Sequence, residues 1–151
     1  MADTSILFVE TRSSEQRLLL CRWVEHLVEQ GENVQVAADS TMAAQQLDAM
    51  LWTFSQGGFI PHRIHDASSS SPLPGEVMIT TGETVVPACE VLVADGSVRL
   101  EFMKRFRLAI HFVLMDDTER RQESRLIWQE ARDQGMTPRH VPYAARLPAL
   151  G

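Results

Sequence analysis

An α/β fold, a three-layer α/β/α sandwich of Rossmann-like type around a mainly parallel sheet, is predicted by three observations. Short apolar runs alternate with amphipathic stretches along the chain. One run, Ala109 to Met115, is apolar enough to lie in a sheet covered on both faces. The amphipathic stretches begin and end on residues that start and stop helices. With 151 residues, 44% of them apolar and 23% charged, the chain suits one domain, 1–151, whose core needs no staples.

Ser5 to Val9 reads as the first strand. Ser13, with Gln16 three residues on, offers a capping box for a helix running to about Gln30, where Gly31 stops it. Leu20, Val24, Leu27 and Val28 form its buried stripe. Asn33 to Ala38 is the second strand, and Asp39 or Ser40 caps a second helix whose core positions are Ala43, Leu47, Met50 and Leu51. A further strand is expected within Phe59 to Ile64, followed by a flexible loop from Ala67 to Gly75, rich in serine and proline. Strands at Glu76 to Thr80 and Glu90 to Val93 come next, and Leu100, Met103 and Phe106 mark a third helix. After the strand at Ala109 to Met115, the last helix runs from about Thr118 to Gln134 and ends at Gly135. The tail Pro142 to Gly151 reads as loose, with Tyr143, Leu147 and Leu150 available for docking.

Composition bounds the function. A net charge of -6 and a pI near 5.3 argue against sequence-independent phosphate binding, so any role on nucleic acid is expected to run through a partner. Positive charge is nearly all arginine, with Lys104 the only lysine. Cys21 and Cys89 match no metal or redox spacing and read as buried hydrophobes in a reducing compartment. Asp3, Glu10 and Arg12 surround the first apolar run, so neither a signal peptide nor a membrane span fits, and a cytoplasmic protein is expected.

Open α/β sheets hold ligands at the carboxyl ends of their strands. There, after the first strand, the chain reads Glu10, Thr11, Arg12, Ser13, Ser14, without the glycines that let backbone approach a phosphate. No cofactor is expected. Asp116 and Asp117 end an apolar strand in the manner of a magnesium-holding pair, but without a phosphate loop they read as caps of the last helix. His62, His65 and Asp66 point apart on an extended segment and make a poor metal site. His111 reads as a satisfied buried residue, and His26 and His140 have no obvious partner.

What remains is surplus bulky and cationic surface. Arg121, Arg125, Trp128 and Arg132 follow at spacings of four, three and four, one continuous helical stripe. It is either a solvated face or a surface for an acidic peptide carrying an apolar side chain. Leu126, Ile127 and Trp128 are consecutive and span about 200 degrees, too wide for one core-facing stripe. Ile127 aligns with Ser124 and Ala131 as the buried row, which leaves Trp128 among the arginines. Trp52, Phe54 and Phe59 either pack under the loop at Gly57 and Gly58 or form an aromatic groove.

The run LDAMLWTFSQGGFIPH, Leu47 to His62, resembles the signature of the chi subunit of bacterial DNA polymerase III. The likeness extends over most of the chain and is weakest in the loop 67–75 and after Gly135. The resemblance implies a Rossmann-like sandwich without nucleotide, acting as a non-catalytic accessory subunit associated with the clamp loader. It implies two partners: the acidic, Phe-terminated C-terminal tail of single-stranded DNA-binding protein, and the psi subunit on a second face. Trp52, Phe59, Val113 and Arg125 match peptide-contacting positions of that family, and Trp128 stands where better-known members have Tyr. Gln129 stands where they have Lys, so Arg121 or Arg132 would have to replace that cation. The resemblance thus implies a single pocket lined by Trp52, Phe59 and Val113, with Arg125 beside it. Two other classes stay open: a small α/β enzyme of degenerate nucleotide-hydrolase type using Asp116 and Asp117, and a direct DNA binder.

Overall fold

The computed structural model describes residues 3–54 and 59–148. Seven strands form one all-parallel sheet: β1 (Ser5–Thr11), β2 (Val34–Ala38), β3 (His62–Ile64), β4 (Val77–Thr81), β5 (Val91–Ala94), β6 (Leu108–Leu114) and β7 (Arg139–Val141). Their order is β3-β4-β2-β5-β6-β1-β7. The helices are α1 (Gln16–Glu29), α2 (Thr41–Phe54), α3 (Leu100–Met103) and α4 (Thr118–Asp133). Strands β2 and β5 are buried along their whole length, as expected of interior strands with both faces covered.

Alternation along each strand divides the core in two. Val9, Val36, Val93, Ile110 and Phe112 face α1 and α2 and pack on Leu20, Val24, Leu47 and Leu51. Ile6, Phe8, Leu92 and Ala109 face the other way and pack on Phe102, Met103, Ile127 and Ala131, from α3 and α4. The sandwich expected from the sequence is therefore the observed one.

Local details differ. The capping box at Ser13 does not form, because Ser13 donates both its N–H and its hydroxyl to Asp116 Oδ1, at 2.9 and 3.0 Å, and ties the β1 and β6 turns together. Of the two candidates for α2, Ser40 is the cap, accepting the Ala43 N–H at 3.1 Å. The third helix closes after one turn, and β7, a strand of three residues between Pro138 and Pro142, was not expected at all. Segment 67–75 carries neither helix nor strand, and Arg63 holds it through the Ser70 and Ser71 carbonyls. Gly57, Gly58 and Leu150 lie outside the described residues. No helix among the described residues is long and apolar enough to cross a membrane.

Candidate functional site

A trough opens on the α4 face of the sheet. Strand register puts Phe8 beside His111 and His140, and Glu10 beside Val113. Phe8, Glu10, Val113 and His140 all project to the α4 side, because residues two apart on a strand share a face. Helix α4 buries Ser124, Ile127 and Ala131, the predicted row. One step round the helix, Arg121, Arg125 and Trp128 overhang the strands. The trough holds about 510 Å³, within the range of small-ligand and peptide pockets.

Its apolar floor is closely packed. The half-buried Trp128 ring meets Phe8 edge-on at 5.1 Å, and Phe8 packs on His111 at 5.0 Å. The His111 imidazole is bonded to Ser124 Oγ at 2.8 Å, and burial, with the Arg120 charge adding to it, pushes its pKa down to about 4. It is the satisfied core histidine that the sequence suggested. The residue turned outward among the three consecutive apolar ones is Leu126, 62% exposed, because Trp128 is drawn onto Phe8.

Arg121 and Arg125 are exposed, and among the described residues neither takes part in an ion pair. Gln129 also borders the trough, donating its amide to Asp133 at 2.9 Å, whereas Arg132 stands outside. Opposite the helix, His140 does have a partner: its Nε2 lies 3.1 Å from Glu10 Oε2. Glu10 Oε1 accepts the Tyr143 N–H at 3.0 Å. That bond, the Tyr143 hydroxyl on Glu15 and the Trp23 indole N–H on the Arg146 carbonyl dock the segment expected to be loose, as far as Arg146.

Trp52 and Phe59 are elsewhere. They are 57% and 65% exposed, with ring centroids 5.5 Å apart. Trp52 stands edge-on to His62 at 4.8 Å, and that imidazole is fixed by the Ile60 and Asp48 carbonyls at 2.7 and 3.1 Å. Helix α2 packs on β3 and β4 on the α1 side of the sheet, while α4 packs on β6 on the opposite side. Strands β3 and β6 are four spacings apart, roughly 19 Å. The single groove joining Trp52 and Phe59 to Val113, Arg125 and Trp128 is therefore not formed. There are two surfaces, an aromatic one and a basic trough.

Beyond the carboxyl ends of β2 and β5, the central place where open sheets hold ligands, the space is taken up by the chain itself. Gln16 donates to the Asp95 carbonyl at 2.5 Å and Arg17 pairs with the Asp95 carboxylate at 3.3 Å. The Asp39 carboxylate accepts the Ser97 N–H at 3.0 Å and lies where a β-carbon on Gly96 would fall. Gly96→Ala is expected to displace it and cost about 1–2 kcal/mol, read from chemical unfolding. Asp117 caps α4 through the Arg120 N–H at 3.0 Å, and Asp116 is held below the ordinary carboxylate range by the Ser13 N–H. The predicted capping role thus falls to Asp117 alone. Burial pushes both cysteine thiols up to about 11, which leaves them poor nucleophiles.

Phe8, Glu10, Met115 and His140 were missed as trough residues. Strand alternation would have paired Phe8 with Glu10, but which strands flank them is a matter of sheet order. Without β7 in view, His140 had no address.

A family model described as DNA polymerase III chi subunit, HolC, matches residues 4–139. No curated protein matches the sequence. Among solved structures, T4 UvsW superposes with a TM-score of 0.61 at 8% identity, over 93% of this chain, which spans only 42% of that one. S. cerevisiae Dbp5 bound to RNA and ADP BeF3 gives 0.65 at 15% identity, over 94% of this chain and 42% of its own. The C-terminal domain of the DEAD-box protein Dbp5 gives 0.61 at 15%, over 95% and 92%. At such identities these likenesses speak for the fold alone.

Proposed function

Because this chain belongs to the DNA polymerase III chi subunit family, and so is an accessory subunit of that polymerase, we propose that its trough captures the acidic C-terminal tail of single-stranded DNA-binding protein. The observation that carries this reading is the pair of guanidinium groups, Arg121 and Arg125, that form no ion pair among the described residues and stand beside Trp128 over an apolar floor. A terminal aromatic side chain would lie against Trp128, Phe8 and Val113, and carboxylates would pair with the two arginines. Arg121 takes the place of the cation missing at Gln129, and Arg132 contributes only to the outer field. The chain's own catalytic chemistry has no part in this reading. DNA would be reached through the tail, and repeated tails on a coated strand would raise effective concentration without a strong single contact.

The exposed pair Trp52 and Phe59 suits the second partner, the psi subunit. Two large rings in contact, rimmed by Asp48 and His62, offer an anchor for an apolar helix or strand rather than for an acidic tail.

Titration of tryptophan fluorescence with an acidic peptide ending in Phe tests both assignments. Saturable binding that weakens with added salt is expected for the wild type. Arg125→Ala is expected to weaken it about tenfold, and Trp52→Ala to leave it within about twofold while abolishing co-purification of psi. Equal affinity in wild type and Arg125→Ala sinks the trough assignment. Loss of peptide binding in Trp52→Ala restores a single groove.

A further inference from the structure

The trough lined by the Arg121 and Arg125 guanidinium groups also carries a fixed carboxylate. Glu10 lies on its floor beside Val113, with its side chain 23% exposed. Both oxygens are held, one by the Tyr143 N–H at 3.0 Å and the other against His140 Nε2 at 3.1 Å, so the group cannot swing away from an approaching anion. The charged groups around it are unequally placed. Arg121 and Arg125 face it from α4 across the trough. Glu15 and Arg146 are drawn onto Tyr143 behind it, with Arg12 over the same ring. His111 is buried beneath Phe8, and Arg139, next to His140 on β7, points to the opposite face. The trough is therefore polarised across its width, cationic along α4 and anionic at the β1–β7 side.

Resting on the tail-binding reading above, we infer that Glu10 is a specificity-determining residue of the trough: it bars a ligand carboxylate from the floor and confines the ligand's negative charge to the α4 side. The side chain seated over Phe8 and Val113 must then be uncharged, and the tail's terminal and flanking carboxylates must lie toward Arg121 and Arg125. A concave, partly apolar site strengthens this effect, because field lines run through low-dielectric walls instead of bulk water. His140 moderates Glu10, as its nearest polar neighbour on the open side. The same carboxylate also ties the Tyr143 segment to the sheet, so one group both builds the far wall and sets what the trough accepts.

The test is a cycle of two proteins and two peptides, read by calorimetry. The peptides are an acidic tail ending in Phe and the same tail ending in Glu. Glu10→Gln keeps an acceptor for the Tyr143 N–H and removes the charge. It is expected to tighten the Phe-ended peptide about threefold and the Glu-ended one about tenfold or more. His140→Gln, on a side chain 52% exposed and outside the core, is expected to weaken both peptides about threefold in the wild-type background and neither when combined with Glu10→Gln. Equal gains for the two peptides, or no gain for either, overturn the inference; should Glu10→Gln prove unstable, a His140→Gln variant that binds both peptides as wild type does overturns it instead. Wild-type binding that ignores Arg125→Ala is a different failure and removes the tail-binding reading itself.

Discussion

Replacing Trp128 with alanine is expected to weaken capture of the acidic peptide at least thirtyfold, that is, by about 2 kcal/mol or more, the scale of a buried aromatic hot spot. The ring is half-buried and serves twice: it walls the trough beside Arg125, and its edge contact with Phe8 at 5.1 Å fixes the floor. Removing it empties the wall and frees Phe8, so the apolar side chain of the ligand loses both surfaces. The fold should lose only about 1 kcal/mol, because Ile127 and Ala131 still seal the core beneath. Trp128→Tyr keeps a ring edge on Phe8 and is expected to bind within about threefold of wild type, which separates loss of the ring from loss of the fold. Calorimetric titration of both variants, with thermal midpoints measured alongside, decides it. An alanine variant that binds as tightly as wild type would show that the trough is not where the tail sits.

How much of this was legible depended on which kind of information a residue carries. Periodicity reports which face of an element is buried, and it placed Ser124, Ile127 and Ala131 on the buried row of α4 correctly. It does not report which side of the sheet the element packs on. The family resemblance, not periodicity, implies one groove for Trp52 and Trp128, whereas α2 and α4 lie on opposite faces. Local signals failed where a longer-range bond won: Ser13 had the spacing of a cap but is taken by Asp116, 103 residues away. Strand β7 was illegible for a related reason. Its three residues carry almost no pattern of their own and become a strand only because β1 offers an edge. The trough's missed members, Glu10 and His140, belong to that pairing.

Acid is expected to destabilise the domain before any carboxylate of ordinary pKa is protonated, and His111 is the reason. Burial brings its folded pKa to about 4, against an ordinary 6.5. The unfolded chain therefore binds the proton first as pH falls. Stability supplied by the neutral imidazole is complete above pH 6.5 and is lost progressively toward pH 4, by roughly 3 kcal/mol over the window. Asp95 acts in the opposite sense near the bottom of that window. Its pKa is raised by burial against the pull of Arg17, so protonation there favours the folded state and blunts the loss. Asp116 and Asp66, both held below the ordinary carboxylate range by serine N–H and hydroxyl groups, add to the loss only at lower pH still. Urea unfolding at pH 7.5, 6, 5 and 4.5 measures the slope. His111→Gln retains a partner for Ser124 Oγ and cannot titrate, so its stability is expected to vary little from pH 7.5 to 5, whatever its absolute value. Parallel slopes in wild type and His111→Gln would assign the acid sensitivity to another group. Because His111 lies under Phe8 and is bonded to Ser124, its protonation drives a charge into the floor of the trough. In the folded protein that happens only near pH 4, so peptide capture should hold through most of the window while global stability falls.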